Sequence, residues 1–228
     1  MINEIIQGDV TVHEFSGMSF AKSWEENVTP QSAALIVYDM QAGIVPQIAN
    51  GKEITNKVSR VLTEARSAGV RVFFTRHMSL PKELMGASQF RMAMAWQKVD
   101  SPGKVRPIFA RDNPAFQIVP ELTPLPSEGI VDKITMSAFE GTYLEIALRD
   151  CGIRSFMIVG IALEIGIDPT CRQGADLGFW PILIKDACGF GNEKAAEHSV
   201  ESLQHMGDTT FTDVETICHL LNNAGRQP

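Results

Sequence analysis

The stretch SFMIVGIALEIGIDPTC, residues 155–171, joins an apolar run to a segment of helical character. Ser155–Gly160 is typical of a buried strand, and Glu164–Gly178 of the helix that follows it. A strand that turns directly into a helix is half of a βαβ unit, which predicts a parallel sheet. A turn of this shape can carry a nucleophile. Here Gly166 stands where a thiol is expected, and Cys171 follows five residues later.

The same alternation of strand and helix patterns extends from this stretch in both directions. Strands are predicted at 33–40, 70–77, 129–133, 155–160, 180–187 and 209–214, and helices at 52–69, 88–97, 141–152, 164–178, 192–207 and 214–225. We therefore expect a doubly wound α/β fold of the Rossmann-type three-layer kind. Its mostly parallel sheet would have six strands, with helices on both faces.

The domain organisation follows from length and from two unusual segments. At 228 residues the chain suits one α/β domain, predicted over 31–228. Residues 1–30 are polar and irregular and are predicted to form an N-terminal arm that packs on a neighbouring subunit. Residues 78–128 are too long for a simple connection and are predicted to form a lid or binding segment. The N-terminal arm and the lid segment both need to be covered by other protein surface, which favours a homo-oligomer, either a dimer or a tetramer.

Composition excludes several classes of partner. A net charge of -7 and a pI near 5.3 argue against nucleic acid and anionic membranes. The sequence lacks an apolar run of about 18 residues and a leader-like start, which predicts a cytoplasmic protein without a membrane span. The four cysteines are irregularly spaced, so neither a disulfide framework nor a zinc site is expected. A small-molecule substrate and no cofactor are expected.

Ligands of open α/β sheets bind at the carboxyl ends of the strands. Asp39 and Gln41 follow the first predicted strand of the sheet, and Lys133 ends another. An aspartate directly after a buried strand needs a partner, and Lys133 is the natural one. On these grounds alone the pair is either catalytic or a structural ion pair.

Three motifs, LIVYDMQ, VDKITMSAFEGTYLEIALRDCGI and VGIALEIGIDPTCRQGADLGF, occur in an order and spacing that resemble the isochorismatase-like hydrolase superfamily over about residues 34–190. The resemblance implies that Asp39 and Lys133 are catalytic and that the nucleophile position falls on Gly166. It also implies a cis peptide at Ala162–Leu163 and an anion-stabilising turn made of the backbone N–H groups of Leu163 and Gly166.

The missing thiol decides which chemistry the resemblance supports. Cys171 lies a rotation of about 140° and a rise of about 7.5 Å from position 166 along a helix, so it is interpreted as a core residue. True isochorismatases resemble this chain in having glycine there, and they hydrolyse a vinyl ether with the family aspartate as acid. The favoured function is thus vinyl-ether-type hydrolysis by Asp39 and Lys133. The alternatives are an amidohydrolase in which Asp39 or Glu164 activates water, and a non-catalytic ligand-binding relative.

Six further residues are predicted to bind substrate: Gln41, His77, Arg91, Trp96, Ala162 and Glu164. Arg91 and Trp96, on the lid helix, could clamp a carboxylate and wall the pocket, or simply pack at an interface. Glu164 could face the substrate, where it would repel a dianion such as isochorismate, or stabilise the start of its helix. His77 is either a strand-end residue or a base. Because the chain lacks the D-x-H motif of metal-binding members, no metal is expected, and Asp186–Gly189 is interpreted as a turn.

Overall fold

The structure, a computed structural model, describes residues 3–7 and 10–224, with side chains described over 13–224. Its strands are β1 Asn3–Gln7, β2 Val10–Phe15, β3 Met18–Ala21, β4 Ala33–Tyr38, β5 Arg71–His77, β6 Gly129–Lys133, β7 Ser155–Ile161, β8 Trp180–Gly189 and β9 Thr210–Thr212. Its α-helices are α1 Gly51–Ser67, α2 Ala87–Gln97, α3 Leu144–Asp150, α4 Asp168–Asp176, α5 Glu193–Met206 and α6 Val214–Ala224.

The main sheet has six strands in the order β6-β5-β4-β7-β8-β9, and every pair in it is parallel. The predicted fold class is therefore confirmed. Within this sheet the chain enters at β4, continues outward through β5 to β6, and then returns to the other side of β4 with β7. This reversal places the switch point between the carboxyl ends of β4 and β7, where α/β proteins bind ligands.

Helices cover both faces of this sheet because the buried strands alternate between two apolar clusters. Along β4, Ala33, Leu35 and Val37 face the cluster that includes α1 and α6. Their neighbours Ala34, Ile36 and Tyr38 face the cluster that includes α3, α4 and α5. Tyr38 therefore lies on the same side of the sheet as α4, which follows the turn after β7.

The prediction that the N-terminal arm is irregular is wrong. Strands β1, β2 and β3 form a separate antiparallel sheet. Ser16 and Gly17, between β2 and β3, both have positive φ, 53° and 80°, as a tight hairpin turn requires. Whether these residues pack on another subunit stays a prediction.

The segment between β5 and β6 contains α2, which has no buried residue, and several short 3₁₀ turns. The helix predicted at 164–178 is divided into a π-helical turn at Leu163–Ile167 and α4. Among the described residues, no helix is long and apolar enough to cross a membrane.

Candidate active site

Asp39 and Lys133 form a buried ion pair where β4 and β6 end. Lys133 Nζ lies 2.7 Å from Asp39 Oδ2, and the two side chains are 1% and 6% exposed. Lys133 also donates to the Thr135 carbonyl at 3.2 Å. Burial lowers the pKa of Lys133, and the Asp39 carboxylate opposes that shift. The pair therefore places an ammonium proton, made more acidic by burial, directly against a carboxylate.

Thr75 of β5 holds the other carboxylate oxygen of Asp39. Its hydroxyl donates to Asp39 Oδ1 at 2.5 Å and accepts the Asp39 N–H at 3.1 Å. Asp39 has a φ of 46°, in the left-handed region that non-glycine residues rarely adopt. The bonds to Thr75 stabilise this strained backbone and orient the carboxylate. Sequence reasoning missed Thr75, for which the only signal was a polar residue two positions before His77 in an apolar strand.

His77 ends β5 next to this pair and lines the cavity described below. Its ring centroid lies 5.7 Å from that of Trp96 and 5.8 Å from that of Phe109, so aromatic groups fix its orientation. Burial lowers the pKa of His77 to about 4; the charge of Asp39 acts against this shift and that of Lys133 adds to it, both by less than burial. His77 is therefore neutral at pH 7.

Gln41 has a different position from the one expected of a substrate ligand. It is completely buried, and its side-chain amide donates to the carbonyls of His77 and Phe116 at 3.1 and 2.9 Å. Its carbonyl accepts the His77 N–H at 2.7 Å. Because these bonds use the whole amide group, Gln41 holds the end of β5 and the loop at Phe116 in place instead of facing the cavity.

The turn after β7 departs from the expectation in two ways. The cis peptide bond is Ile161–Ala162, one residue before the expected Ala162–Leu163. The N–H of Gly166 donates to the Ala162 carbonyl at 3.0 Å, so it is not presented to an anion. The N–H of Leu163 begins the π-helical turn and has no acceptor within it, so Leu163 stays a predicted donor.

The space beside Gly166, the predicted nucleophile position, is filled by another residue. A Cβ built on Gly166 would fall on the side chain of Tyr38, 2.6 Å from Cε1 and closer still to the hydroxyl. The Tyr38 hydroxyl donates to the Met136 carbonyl, and Lys133 Nζ lies 4.3 Å from the ring centroid. Burial, followed by the charge of Asp39, raises the pKa of Tyr38 well above its usual value. The aromatic residue before Asp39 was visible in the sequence, but nothing there linked it to Gly166.

Glu164 is turned away from the cavity. Its Oε1 accepts the N–H groups of Gly191 and Asn192, both at 2.9 Å, where the chain enters α5. Its Oε2 is buried and has no partner among the described residues. Glu164 thus stabilises the start of α5 and not that of its own helix, and the repulsion expected between it and an anionic substrate loses its basis.

A cavity of about 410 Å³ opens at the switch point, with Asp39 and His77 at its floor and Ala162 and Ile165 on one wall. That volume suits a small molecule. Most of the lining is apolar, and four methionines contribute to it: Met78, Met85, Met92 and Met136. The predicted lid helix α2 forms one side of the cavity.

Of the two residues predicted on that helix, the structure brings only Trp96 to the cavity. Arg91 is exposed and is not part of the lining. Arg106, which sequence reasoning missed, lines the cavity instead. It lies in an irregular loop without periodicity, so no sequence signal could have placed it there.

The cysteines do not supply a substitute thiol. Cys171 is completely buried in the cluster between the sheet and α4, which confirms its interpretation as a core residue. Burial raises the pKa of Cys171 well above its usual value, so the thiol stays protonated. Within residues 13–224 no group of three or more His, Cys, Asp or Glu is arranged to hold a metal ion.

Comparison with known proteins agrees with this fold. The chain is 32% identical over 182 residues to the isochorismatase family protein YecD of Escherichia coli O157:H7, covering 77% of this chain and 88% of that one. It is 24% identical over 176 residues to the ureidoacrylate amidohydrolase RutB of Acinetobacter baylyi, covering 71% and 72%. The crystal structure of a cysteine hydrolase from Pseudomonas syringae pv. phaseolicola superposes with a TM-score of 0.73 at 22% identity, over 87% of this chain and 96% of that one.

The fold is a doubly wound α/β fold with a cavity at the switch point of its parallel sheet, the place where enzymes of this fold class bind small molecules. The family described as Isochorismatase domain matches residues 33–216, and the chain belongs to this family of hydrolases.

Proposed function

We propose that the protein hydrolyses a vinyl-ether-type bond in a small molecule, with Asp39 and Lys133 as the acid/base pair. The observation that carries the proposal is the contact between Tyr38 and Gly166, which leaves no room for a nucleophilic side chain at that position. An acyl-enzyme route on an amide needs such a nucleophile. A vinyl ether needs only a proton donor at the correct place.

In the ion pair Asp39 is a carboxylate, so the reaction begins when the Lys133 ammonium, 2.7 Å from Asp39 Oδ2 and made more acidic by burial, passes a proton to Asp39. The Asp39 carboxyl then gives this proton to the terminal carbon of the vinyl group and becomes a carboxylate again, with Lys133 neutral. Water then adds to the oxocarbenium carbon and returns one proton to the pair. The resulting hemiketal loses its ether C–O bond, its hydroxyl proton ends on the leaving oxygen, and an alcohol and a ketone are released.

The rest of the site suits this chemistry. The apolar lining shields the cationic intermediate from bulk water, and the Asp39 carboxylate stabilises it electrostatically. His77, neutral at pH 7, can accept a hydrogen bond from the attacking water. Phe109 and Trp96 hold that ring at the cavity floor.

A second candidate function is amide hydrolysis by activated water. It is favoured by the amidohydrolase RutB, a relative by sequence. Since Glu164 is engaged with the start of α5, Asp39 would be the base in this case.

The test is a turnover assay of the wild type on isochorismate, related vinyl ethers and small amides, with pyruvate or other ketones and ammonia measured together. Asp39→Asn is compared with Asp112→Asn, a matched change at an exposed aspartate. We expect the wild type and Asp112→Asn to release a ketone, and Asp39→Asn to lose about 10²- to 10⁴-fold in rate.

The other outcomes identify the alternatives. Ammonia release without a ketone would replace vinyl-ether cleavage by amide cleavage. Ketone release that persists in Asp39→Asn would remove Asp39 from the mechanism. Binding of a panel compound without turnover, unchanged in Asp39→Asn, would indicate a non-catalytic relative.

A further inference from the structure

The cavity lining carries charges of opposite sign, a buried Asp39 and an exposed Arg106. The floor contains the Asp39 carboxylate, whose oxygens are engaged by Lys133 and Thr75. Among the described residues that line the cavity, Arg106 is the one cationic side chain, because His77 is neutral at pH 7. Lys133 lies behind the floor with its side chain 1% exposed.

Arg106 is held in position through its backbone. Gln97, the last residue of α2, accepts the Arg106 N–H at 2.9 Å and donates to the Arg106 carbonyl at 2.8 Å. The preceding residue, Val105, is completely buried. These two hydrogen bonds, called the Gln97 clamp below, join the end of the lid helix to the loop that contains Arg106. They fix the position of the Arg106 backbone, from which the side chain extends.

The Arg106 side chain makes no ion pair or hydrogen bond with the described residues. Several other arginines are satisfied by carboxylates, such as Arg66 by Glu128 and Arg76 by Asp132, both within 2.8 Å. An unpaired guanidinium at the edge of an apolar cavity is suited to a planar anion, which it can bind through two parallel N–H bonds.

We propose that Arg106 binds a carboxylate of the substrate, so that the ligand is a small molecule with an apolar body and an acidic group remote from the bond that reacts. The apolar body contacts the methionines and Trp96, and methionine side chains adapt to irregular shapes. This inference rests on the proposed function only in taking the Asp39 end of the cavity as the reacting end.

The experiment measures binding, not turnover. Pairs of probes that differ only in charge, benzoate with benzamide and cinnamate with cinnamamide, are titrated into protein with ¹³C-labelled methionine methyl groups. Shifts of the four cavity methionines locate the probe and give its dissociation constant. We expect each carboxylate to bind at least 10-fold more tightly than its amide.

Two arginine variants then decide which residue is responsible. In Arg106→Gln the preference for the carboxylate disappears, while the Gln97 clamp is retained because it uses only backbone atoms of residue 106. In Arg91→Gln, which alters the exposed arginine of the lid helix, the preference is unchanged. Equal binding of carboxylate and amide by the wild type, or a preference that survives Arg106→Gln, would overturn the proposal.

Asp39→Asn separates this inference from the proposed function. We expect that variant to lose turnover and keep the carboxylate preference. If the preference is present but the wild type releases no ketone, the ligand class stands and the vinyl-ether chemistry fails. If ketone is released but the preference is absent, the chemistry stands and the role of Arg106 fails.

Discussion

The hydroxyl and ring of Tyr38 occupy the space that a side chain at position 166 would need. Tyr38 ends β4, and Gly166 lies in the π-helical turn after β7, so two neighbouring strands bring them together. Position 166 therefore not only lacks a cysteine side chain but has no room for one. A thiol at this position would require changes at both residues.

Gly166→Ala should destabilise the fold. The added Cβ overlaps a completely buried tyrosine whose hydroxyl is bonded to Met136, so the ring cannot move aside. We expect a loss of about 1 to 3 kcal/mol in the free energy of unfolding, as for other overpacked cores. Urea unfolding measures this loss. Gly86→Ala, where a Cβ would meet nothing within 4 Å, is the matched control.

A double-mutant cycle tests the contact directly. In a Tyr38→Ala background the obstacle is gone, so Gly166→Ala should cost nothing or stabilise the protein. The same loss in both backgrounds would show that the two residues do not interact.

Removing one partner of the Asp39–Lys133 pair should be costly. Lys133→Met leaves the Asp39 carboxylate buried without a counter-charge, and we expect a loss of about 3 to 5 kcal/mol of stability. Lys104→Met breaks the exposed pair with Asp100 and should cost less than about 1 kcal/mol. Similar losses from the two variants in urea unfolding would contradict a buried ion pair.

His77 should make the protein less stable in acid. Its pKa is about 4 when folded and about 6.5 when unfolded, so between these values the unfolded chain binds the extra proton. Stability contributed by neutral His77 is therefore present above pH 6.5 and falls as the pH drops towards 4, by up to about 3 kcal/mol in total.

The comparison of wild type with His77→Gln isolates this effect from the carboxylates. Melting temperatures measured from pH 4 to pH 8 should fall less steeply in the variant on the acid side. Parallel curves would mean that His77 does not titrate abnormally.

Gln41→Met should act on stability because Gln41 makes three hydrogen bonds to buried backbone groups. Unsatisfied buried groups cost about 1 to 3 kcal/mol each, so a loss of several kcal/mol is expected. Gln204→Met, on the exposed face of α5, should change stability by less than about 0.5 kcal/mol. Full stability of Gln41→Met together with weaker ligand binding would restore Gln41 as a substrate ligand.

Periodicity predicted the elements well and their local details poorly. The six strands of the main sheet could be predicted in their order along the chain because buried parallel strands are continuous apolar runs. The π-helical turn and the position of the cis peptide were not, because both depend on how the chain fits against α5 and β4 rather than on local propensity. The hairpins within residues 1–30 were missed because their polar residues hid a short alternating pattern.

By itself, the sequence determined the fold class, the family motifs, and the presence of Asp39 and Lys133 at strand ends, because each depends on residue type and spacing along the chain. Only the tertiary structure decided that Tyr38 fills the space beside Gly166, that Thr75 orients Asp39, that Glu164 and Gln41 serve the scaffold, and that Arg106 reaches the cavity. These relationships join residues from different strands and loops. No spacing along the chain encodes them, because they arise only when the sheet brings its carboxyl ends together.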